Sequence, residues 1–357
     1  MSTPLRPDGG WRGRGNEDGI ALLIVLLTTT LLTIIVVEFT QSAEVEMHFA
    51  MSARNALQAF YLARSGVNVG EALLVQDAKL NHNDSDEDIW ALPMPPLPVG
   101  DGTVALRVQD EARRLNLNML SVSSDTVRDH RRDVFRRLFD VLGVDKRVLA
   151  AIVDWIDADG EPGADPPGAE QAYYVGLTPP VVVRNGPMLT MRELIQVRGM
   201  TPTMFARLEE FVTVLPSDAV KVNVNTAPAE VLYALSEGLT ADPGVVDRLI
   251  STRREHPFAS PTEVGPNVSG FTQAITTSEI EEFVGTTSAY FRIDAVGEVN
   301  DVARGIVTIV SRGVGTGVSA RTVKRVTWAP SAVNLSLTSQ PPSDFLGTLP
   351  PLAGSGT

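Results

Sequence analysis

The densest group of carboxylates in this 357-residue chain lies in the stretch from Asp154 to Tyr174. The stretch reads DWIDADGEPGADPPGAEQAYY, and its glycines and prolines interrupt any regular helix or strand. Hard cations such as Ca²⁺ take roughly six to eight oxygen ligands at irregular angles, which a short acidic loop with free carbonyl groups can supply. The acidic side chains of the stretch are Asp154, Asp157, Asp159, Glu161, Asp165 and Glu170.

Two interpretations of this acidic stretch stay open from the residues alone. Asp157 and Asp159, followed by glycine, begin like the calcium loop of an EF-hand, but the second half with its closing glutamate is missing. The pattern is consistent with a cation site and equally with a solvent-exposed loop whose aspartates cap helices.

Other residue types that could carry catalysis are absent or scattered. The sequence has no cysteine, which excludes a disulfide and a thiolate nucleophile. Its four histidines, His48, His82, His130 and His256, lack the spacing of metal ligands. No G-x-S-x-G, phosphate-binding loop or H-E-x-x-H motif occurs. We therefore do not expect an enzyme.

The chain is acidic, with a formal net charge of -13. Such a charge opposes a broad electrostatic footprint on nucleic acid. The main cluster of arginines lies on a predicted helix from Thr126 to Leu142, where aspartates alternate with them. Alternating signs are typical of a solvated helix face with pairs of opposite charge, so nucleic acid is not an expected partner.

From Ile20 to Val37 the chain carries no charge and consists of apolar residues and four threonines. As a helix this segment would span roughly 27 Å, close to the thickness of a bilayer core. A secretory signal would be shorter and would end at a small-residue cleavage site, whereas here a helical pattern continues to Leu74 without proline. A buried core helix is the third interpretation, but a segment apolar on every side favours a membrane anchor.

Turn signals and periodicity divide the rest of the chain. The charged loop at 81–88 is predicted to be solvated, and Thr103 to Asp110 alternates like a half-buried strand. A short second strand is predicted at Leu115 to Asn118. Further strands are predicted at 290–299, 303–312 and 321–328, with a hairpin turn at Asn300-Asp301 and a disordered tail after the last.

Helix pairs are predicted between the two groups of strands. Thr190 and Glu193 form a predicted capping box, and Thr226 is the predicted N-cap of a later helix. The pairs resemble helix-hairpin-helix modules, which elsewhere hold DNA phosphates through a glycine-rich hairpin. Here Glu237 and Asp242 lie where a phosphate would bind, so we interpret the pairs as protein-packing modules.

The N-terminal segment resembles that of type IV pilin-like proteins, in which a polar leader ending in glycine precedes an apolar helix. The resemblance implies that a prepilin peptidase cleaves between Gly19 and Ile20 and methylates the new N-terminus. Most of these proteins carry Glu at the fifth residue after the cut, whereas this chain has Ile24. A buried carboxylate needs a partner, which in such filaments is the amine of the subunit ahead. In having no Glu at this position, the chain resembles the tip subunit of the type II secretion pseudopilus. This subunit is a member of the general secretion pathway protein K family.

The acidic stretch also resembles a signature of that family, whose helical domain binds calcium. The resemblance covers DWIDADGEP with the following GAE and YY. It implies a structural calcium site with Asp157, Asp159 and Glu170 as the first ligands, and Glu161 and Asp165 as the next.

The expected fold class is α+β, in which a pilin-like long N-terminal helix packs on an antiparallel sheet that carries a large inserted all-α domain. The expected parts are a leader (1–19), a transmembrane and amphipathic helix (20–80), a sheet (81–118 and 288–328), a helical insertion (119–287) and a tail (329–357).

The expected function is that of a minor pseudopilin at the tip, which initiates and caps the filament for protein export. Its expected partners are other minor pseudopilins, the prepilin peptidase and the inner membrane, with the soluble domain in the periplasm. The alternatives are a membrane-anchored helix-hairpin-helix DNA-binding protein of the competence type and a hydrolase with a catalytic metal in the acidic loop.

Overall fold

The computed structural model describes residues 17–122, 124–163, 166–216, 218–313 and 322–331. Its first element is a helix of 64 residues, α1 (Glu17–Leu80), which confirms the prediction of one unbroken helix from 20 to 80. The chain divides within this helix into two units, Met1–Gln58 and Ala59–Thr357. Among the described residues, the first unit consists of residues 17–58 of α1, and everything else belongs to the second.

An antiparallel sheet forms the pilin-like part of the second unit. Its strand order is β1-β2-β7-β8-β10, and β9 also pairs with β8. Asn300 and Asp301, with φ of 47° and 66°, make the predicted hairpin turn between β7 and β8. The bounds are β1 (Leu97–Val99), β2 (Gly102–Asp110), β7 (Tyr290–Val299), β8 (Val302–Arg312), β9 (Val323–Arg325) and β10 (Ala329–Ser331).

From Ala59 onwards, α1 lies directly on this sheet because small residues let the two backbones approach. A Cβ on Gly297 of β7 would lie 2.1 Å from the carbonyl oxygen of Ala59 and 2.7 Å from the amide nitrogen of Ala63. On the helix side, a Cβ on Gly66 would lie 2.9 Å from Val104 Cγ2. Only glycine allows such contacts, so these positions set the distance between helix and sheet.

The segment between β2 and β7 folds into a helical insertion with a hydrophobic core of its own. Two short parallel strand pairs, β3 with β4 and β5 with β6, lie at its base. The strands are β3 (Leu115–Asn116), β4 (Val212–Thr213), β5 (Val222–Asn223) and β6 (Val284–Gly285). The helices are α2 (Asp125–Leu142), α3 (Lys146–Ile156), α4 (Gln171–Val175), α5 (Pro202–Leu208), α6 (Ala229–Ala234), α7 (Glu237–Ala241), α8 (Pro243–Glu255), α9 (Val264–Asn267), α10 (Phe271–Ala274) and α11 (Thr277–Phe283).

A buried ionic cluster joins the end of α1, the following loop and the end of β8. The Arg312 guanidinium donates to Asp77 Oδ2 at 3.0 Å and to Asp84 Oδ1, and all three side chains are buried. The Asn81 amide bridges Asp77 and Asp88 at 2.9 and 3.0 Å. The prediction of a solvated loop at 81–88 is therefore wrong in part, because a cation far along the chain compensates its carboxylates.

Other boundaries also differ from the predictions. The strand predicted at Leu115 to Asn118 is only two residues long and pairs inside the insertion, which begins near residue 111. Thr226 is not an N-cap, since α6 begins at Ala229 and Pro228 is its N-cap residue; the Thr226 hydroxyl donates to Asp110 Oδ2 at 2.6 Å. Of the strand predicted at 321–328 only β9 forms, and a further strand, β10, lies in the first residues of the predicted tail. Residues 332–357 of that tail lie outside the described residues.

Candidate metal centre and N-terminal segment

The loop between α3 and α4 brings three of the predicted ligands together. Asp157 directly follows α3, and Glu170 directly precedes α4. Asp157, Asp159 and Glu170 each offer a carboxylate oxygen within 4.8 Å of the other two. Asp157 and Glu170 are buried, whereas Asp159 is exposed. The group is therefore a half-enclosed cluster of like charges.

Three of the four oxygens of the buried carboxylates in this cluster lack a hydrogen-bond partner among the described residues. Asp157 Oδ1 and both oxygens of Glu170 are buried and accept no hydrogen bond. Burial, followed by the charges of neighbouring carboxylates, raises the pKa of Asp157 to about 6 and that of Glu170 to about 7. Arg128 Nη1 lies 3.8 Å from Asp157 Oδ2 and offsets part of the charge. Orphaned oxygens that face one another fit a bound cation, which would satisfy them all.

Asp154 positions the loop and is not a member of this cluster. Its Oδ1 accepts the Gly163 N–H at 3.2 Å. A Cβ on Gly168 would lie 1.9 Å from Asp154 Oδ2, so the loop backbone folds tightly over that carboxylate. From the other side, Arg198 Nη1 donates to the Gly168 carbonyl at 3.0 Å. The role of Arg198 was not predicted, because nothing local in the sequence links it to a loop thirty residues earlier.

The two secondary ligand candidates are placed differently. Glu161 is exposed and lies outside the group of three, and its N–H donates to Asp159 Oδ1 at 3.0 Å. Asp165 lies outside the described residues. Glu161 lines a cavity of about 460 Å³ together with Arg132 and Arg136 of α2. Both arginines pair with aspartates three residues earlier, which agrees with the predicted alternation of charge along this helix.

We expect the metal-free protein to gain stability as the pH falls from about 8 to about 5. The folded-state pKa values of Asp157 and Glu170 are raised above those of an unfolded chain. Their stabilising contribution is thus fully present below the unfolded values and is lost as the pH rises through the folded ones. Thermal unfolding in EDTA across this range checks the prediction, and Glu170→Gln should flatten the dependence. A steady rise in stability towards pH 8 would contradict it.

In the first unit, the uncharged part of α1 has its polar groups satisfied within the helix. The hydroxyls of Thr28, Thr29, Thr30 and Thr33 donate to carbonyl oxygens of the preceding turn at 2.7 to 2.9 Å. Ile24 is exposed on this helix, and among the described residues α1 alone meets the length and composition of a membrane span. Gly19 and Ile20 lie in its first turns. Such a segment places no unpaired polar group in lipid.

The predicted helix pairs are packed into the insertion. The Asp242 side chain accepts the Gly244 N–H at 3.1 Å and caps α8. Arg248 of this helix donates to the Ser269 carbonyl at 2.9 Å. A capped helix N-terminus offers fewer free amides to a phosphate, as expected for protein-packing modules.

A long helix whose first part is uncharged and apolar, and an antiparallel sheet that is interrupted by a helical insertion, define a pilin-like protein. The family described as type II secretion system (T2SS), protein K has models that match residues 113–217 and 222–281. The chain belongs to the type II secretion system protein K family.

Proteins from other bacteria are similar in sequence to this chain over most of its length. Type II secretion system protein K of Aeromonas hydrophila is 31% identical over 313 residues, which cover 83% of this chain and 93% of that protein. The protein K of Pseudomonas aeruginosa is 28% identical over 320 residues, or 84% and 90% of the two chains. A crystal structure described as the GspK-GspI-GspJ complex from the enterotoxigenic Escherichia coli type 2 secretion system shares the fold. Its TM-score is 0.68 at 18% identity, covering 80% of this chain and 99% of that one.

Proposed function

We propose that this minor pseudopilin occupies the tip of the type II secretion pseudopilus, where it helps to initiate and cap the filament for protein export. The observation that carries the proposal is Ile24, which gives the apolar helix no carboxylate to pair with a subunit ahead. A prepilin peptidase cleaves after Gly19 and methylates Ile20. The mature helix stays in the inner membrane, with the soluble part in the periplasm, and packs beside other minor pseudopilins.

Two measurements test the position in the filament. Mass spectrometry of the mature protein should find a methylated N-terminus at Ile20. We expect Ile24→Glu to lower the number of filaments by about tenfold or more, since an unpaired carboxylate in lipid costs roughly 2.5 to 3.5 kcal/mol. Ile24→Leu keeps the side chain apolar and serves as the control. Normal assembly of the Glu variant, or labelling of the wild type along whole filaments, would contradict the proposal.

We also infer that Asp157, Asp159 and Glu170 hold a structural Ca²⁺, with Glu161 and Asp165 as further candidates. The unpartnered buried oxygens of Asp157 and Glu170 support this inference. Carboxylate oxygens are the ligands that Ca²⁺ prefers. The ion would neutralise the cluster and fix the loop between α3 and α4.

Calorimetry on a soluble chain beginning at residue 44 tests the site. We expect Glu170→Gln to weaken Ca²⁺ binding by about thirtyfold or more, because it removes a buried ligand charge. Glu255→Gln, at an exposed position at the end of α8 and outside the loop, is the matched control, and we expect it to change the affinity by about threefold or less. Absence of Ca²⁺ uptake by the wild type, or equal losses in both variants, would refute the inference.

A further inference from the structure

Exposed apolar side chains of the insertion are concentrated on one stretch. Of the eight large apolar side chains that are exposed among the described residues of 111–287, six lie between 173 and 195. Val182 is 81% exposed and Leu189 is 64% exposed. We call this set the apolar face; it consists of Tyr173, Val175, Leu177, Val182, Leu189 and Ile195.

Hydrogen bonds hold the first part of the apolar face in place. The Gln171 side chain donates to the Val181 carbonyl at 3.1 Å and accepts the Val183 N–H at 2.9 Å. These bonds fasten the segment around Val182 to the start of α4. The exposure of Val182 is therefore a property of a tethered segment.

An open groove of about 530 Å³ is lined by residues from both parts of this stretch. Val182, Val183 and Arg184 come from the first part, and Glu193 and Gln196 come from the second. Leu189 and Ile195 lie within four residues of Glu193 in the chain. The groove therefore brings the two parts of the stretch together, and exposed apolar side chains beside such a groove are of the kind that marks an interaction site.

The segment that carries the apolar face has a net charge of opposite sign to that of the whole chain. Between 171 and 200 the chain has no aspartate, three arginines and one glutamate, whereas the whole chain carries -13. Glu193 is already engaged, since its Oε1 accepts the N–H groups of Leu189 and Thr190 at 2.7 and 3.1 Å. Arg184 and Arg192 are exposed and form no ion pair with any residue that the structure describes. Two cations beside the apolar face therefore lack a counter-charge.

We propose that the apolar face, with Arg184 and Arg192 beside it, docks a segment of another protein that carries acidic side chains next to apolar ones. Burial of the apolar groups supplies affinity, and the two guanidinium groups select carboxylates. The proposal goes beyond the position in the filament and does not require the metal site. A second copy of this chain and its own residues 332–357 are the competing occupants that the test separates.

A photo-crosslinking amino acid placed at Val182 of the full-length chain, in cells with a working secretion system, tests the proposal. We expect a crosslink to another protein, and mass spectrometry of the crosslinked peptide should find carboxylates within a few residues of apolar side chains. Arg184→Glu with Arg192→Glu should reduce the crosslink by about tenfold or more, whereas the two lysine variants should keep most of it. Position Val141, exposed elsewhere on the insertion, is the control and should give no such crosslink.

Four results would overturn the proposal. They are a crosslink to a second copy, a crosslink to residues 332–357 of the same chain, no crosslink above that of Val141, and a crosslink that the charge-reversed variant retains. An unchanged thermal unfolding temperature of the charge-reversed variant shows that it is folded, so that loss of its crosslink reports on docking.

Discussion

Replacing Arg312 by methionine should lower the free energy of unfolding by about 3 to 5 kcal/mol. The guanidinium is the cation that contacts the buried carboxylates of Asp77 and Asp84, and it also lies 4.4 Å from the centre of the Phe291 ring. Methionine keeps much of the volume but leaves two carboxylates without a counter-charge in a site that already raises their pKa by burial. Denaturant unfolding of the soluble chain measures the loss.

A matched control exists on the surface of the same sheet. Arg325 donates to Glu71 Oε2 at 3.0 Å but is partly exposed, so Arg325→Met should cost less than about 1 kcal/mol. Adding Asp84→Asn to Arg312→Met should recover part of the stability, because it removes one unpaired charge. Equal effects of the two arginine variants would show that the buried cluster contributes no more than a surface pair.

Gly297→Val is the second change with a large expected effect, a loss of about 3 kcal/mol or more. The new side chain would have to occupy the space of the Ala59 carbonyl and the Ala63 amide, which are backbone groups of α1 and cannot rotate away. The helix would therefore have to lift from the sheet. The same denaturant measurement, supported by hydrogen exchange over residues 59–80, tests this.

Gly186→Val provides the comparison for this substitution. The nearest atom to a Cβ there is the Arg184 carbonyl oxygen at 3.8 Å, an ordinary contact distance. We expect a change below about 0.5 kcal/mol at this surface position. A Gly297 variant as stable as the Gly186 variant would mean that helix and sheet can separate without cost.

The features that sequence predicted well have local causes. The run from Ile20 to Val37 and the proline-free pattern after it specify a long helix, and alternation specifies the strands at 102–110 and 290–299. Asn300-Asp301 predicted its turn because these residues tolerate positive φ. The inserted layout followed from counting strands, since the first long strand had partners only far along the chain.

The features that could not be predicted from the sequence depend on contacts between residues that are far apart in the chain. In the sequence, Asp84 looks like one more charge in a solvated run. In the structure it accepts a hydrogen bond from Arg312, which lies 228 positions away along the chain. Thr226 has the spacing of an N-cap, yet the helix begins only at Ala229, and the Thr226 hydroxyl donates to Asp110 at the end of β2. Spacing along the chain contains no information about either partner.

The candidate metal site was predictable in composition but not in detail. The sequence indicated which loop gathers oxygen ligands, and the structure brings Asp157, Asp159 and Glu170 together. Only the family resemblance ranked Glu170 above Glu161, and composition gave no reason why Glu170, which directly precedes α4, is buried while Glu161 faces solvent. The sequence also could not show that the Asp154 carboxylate accepts a hydrogen bond from a backbone N–H group of the loop.

The way the insertion enters and leaves the sheet has a consequence for the order of folding. Asp110 at the end of β2 pairs with Phe291 near the start of β7, so the two ends of a segment of about 180 residues meet as neighbours. Closing so long a loop in an unfolded chain is entropically unfavourable. The insertion, with its separate core, can collapse first and bring the two strands together, after which the sheet needs to close only a short gap.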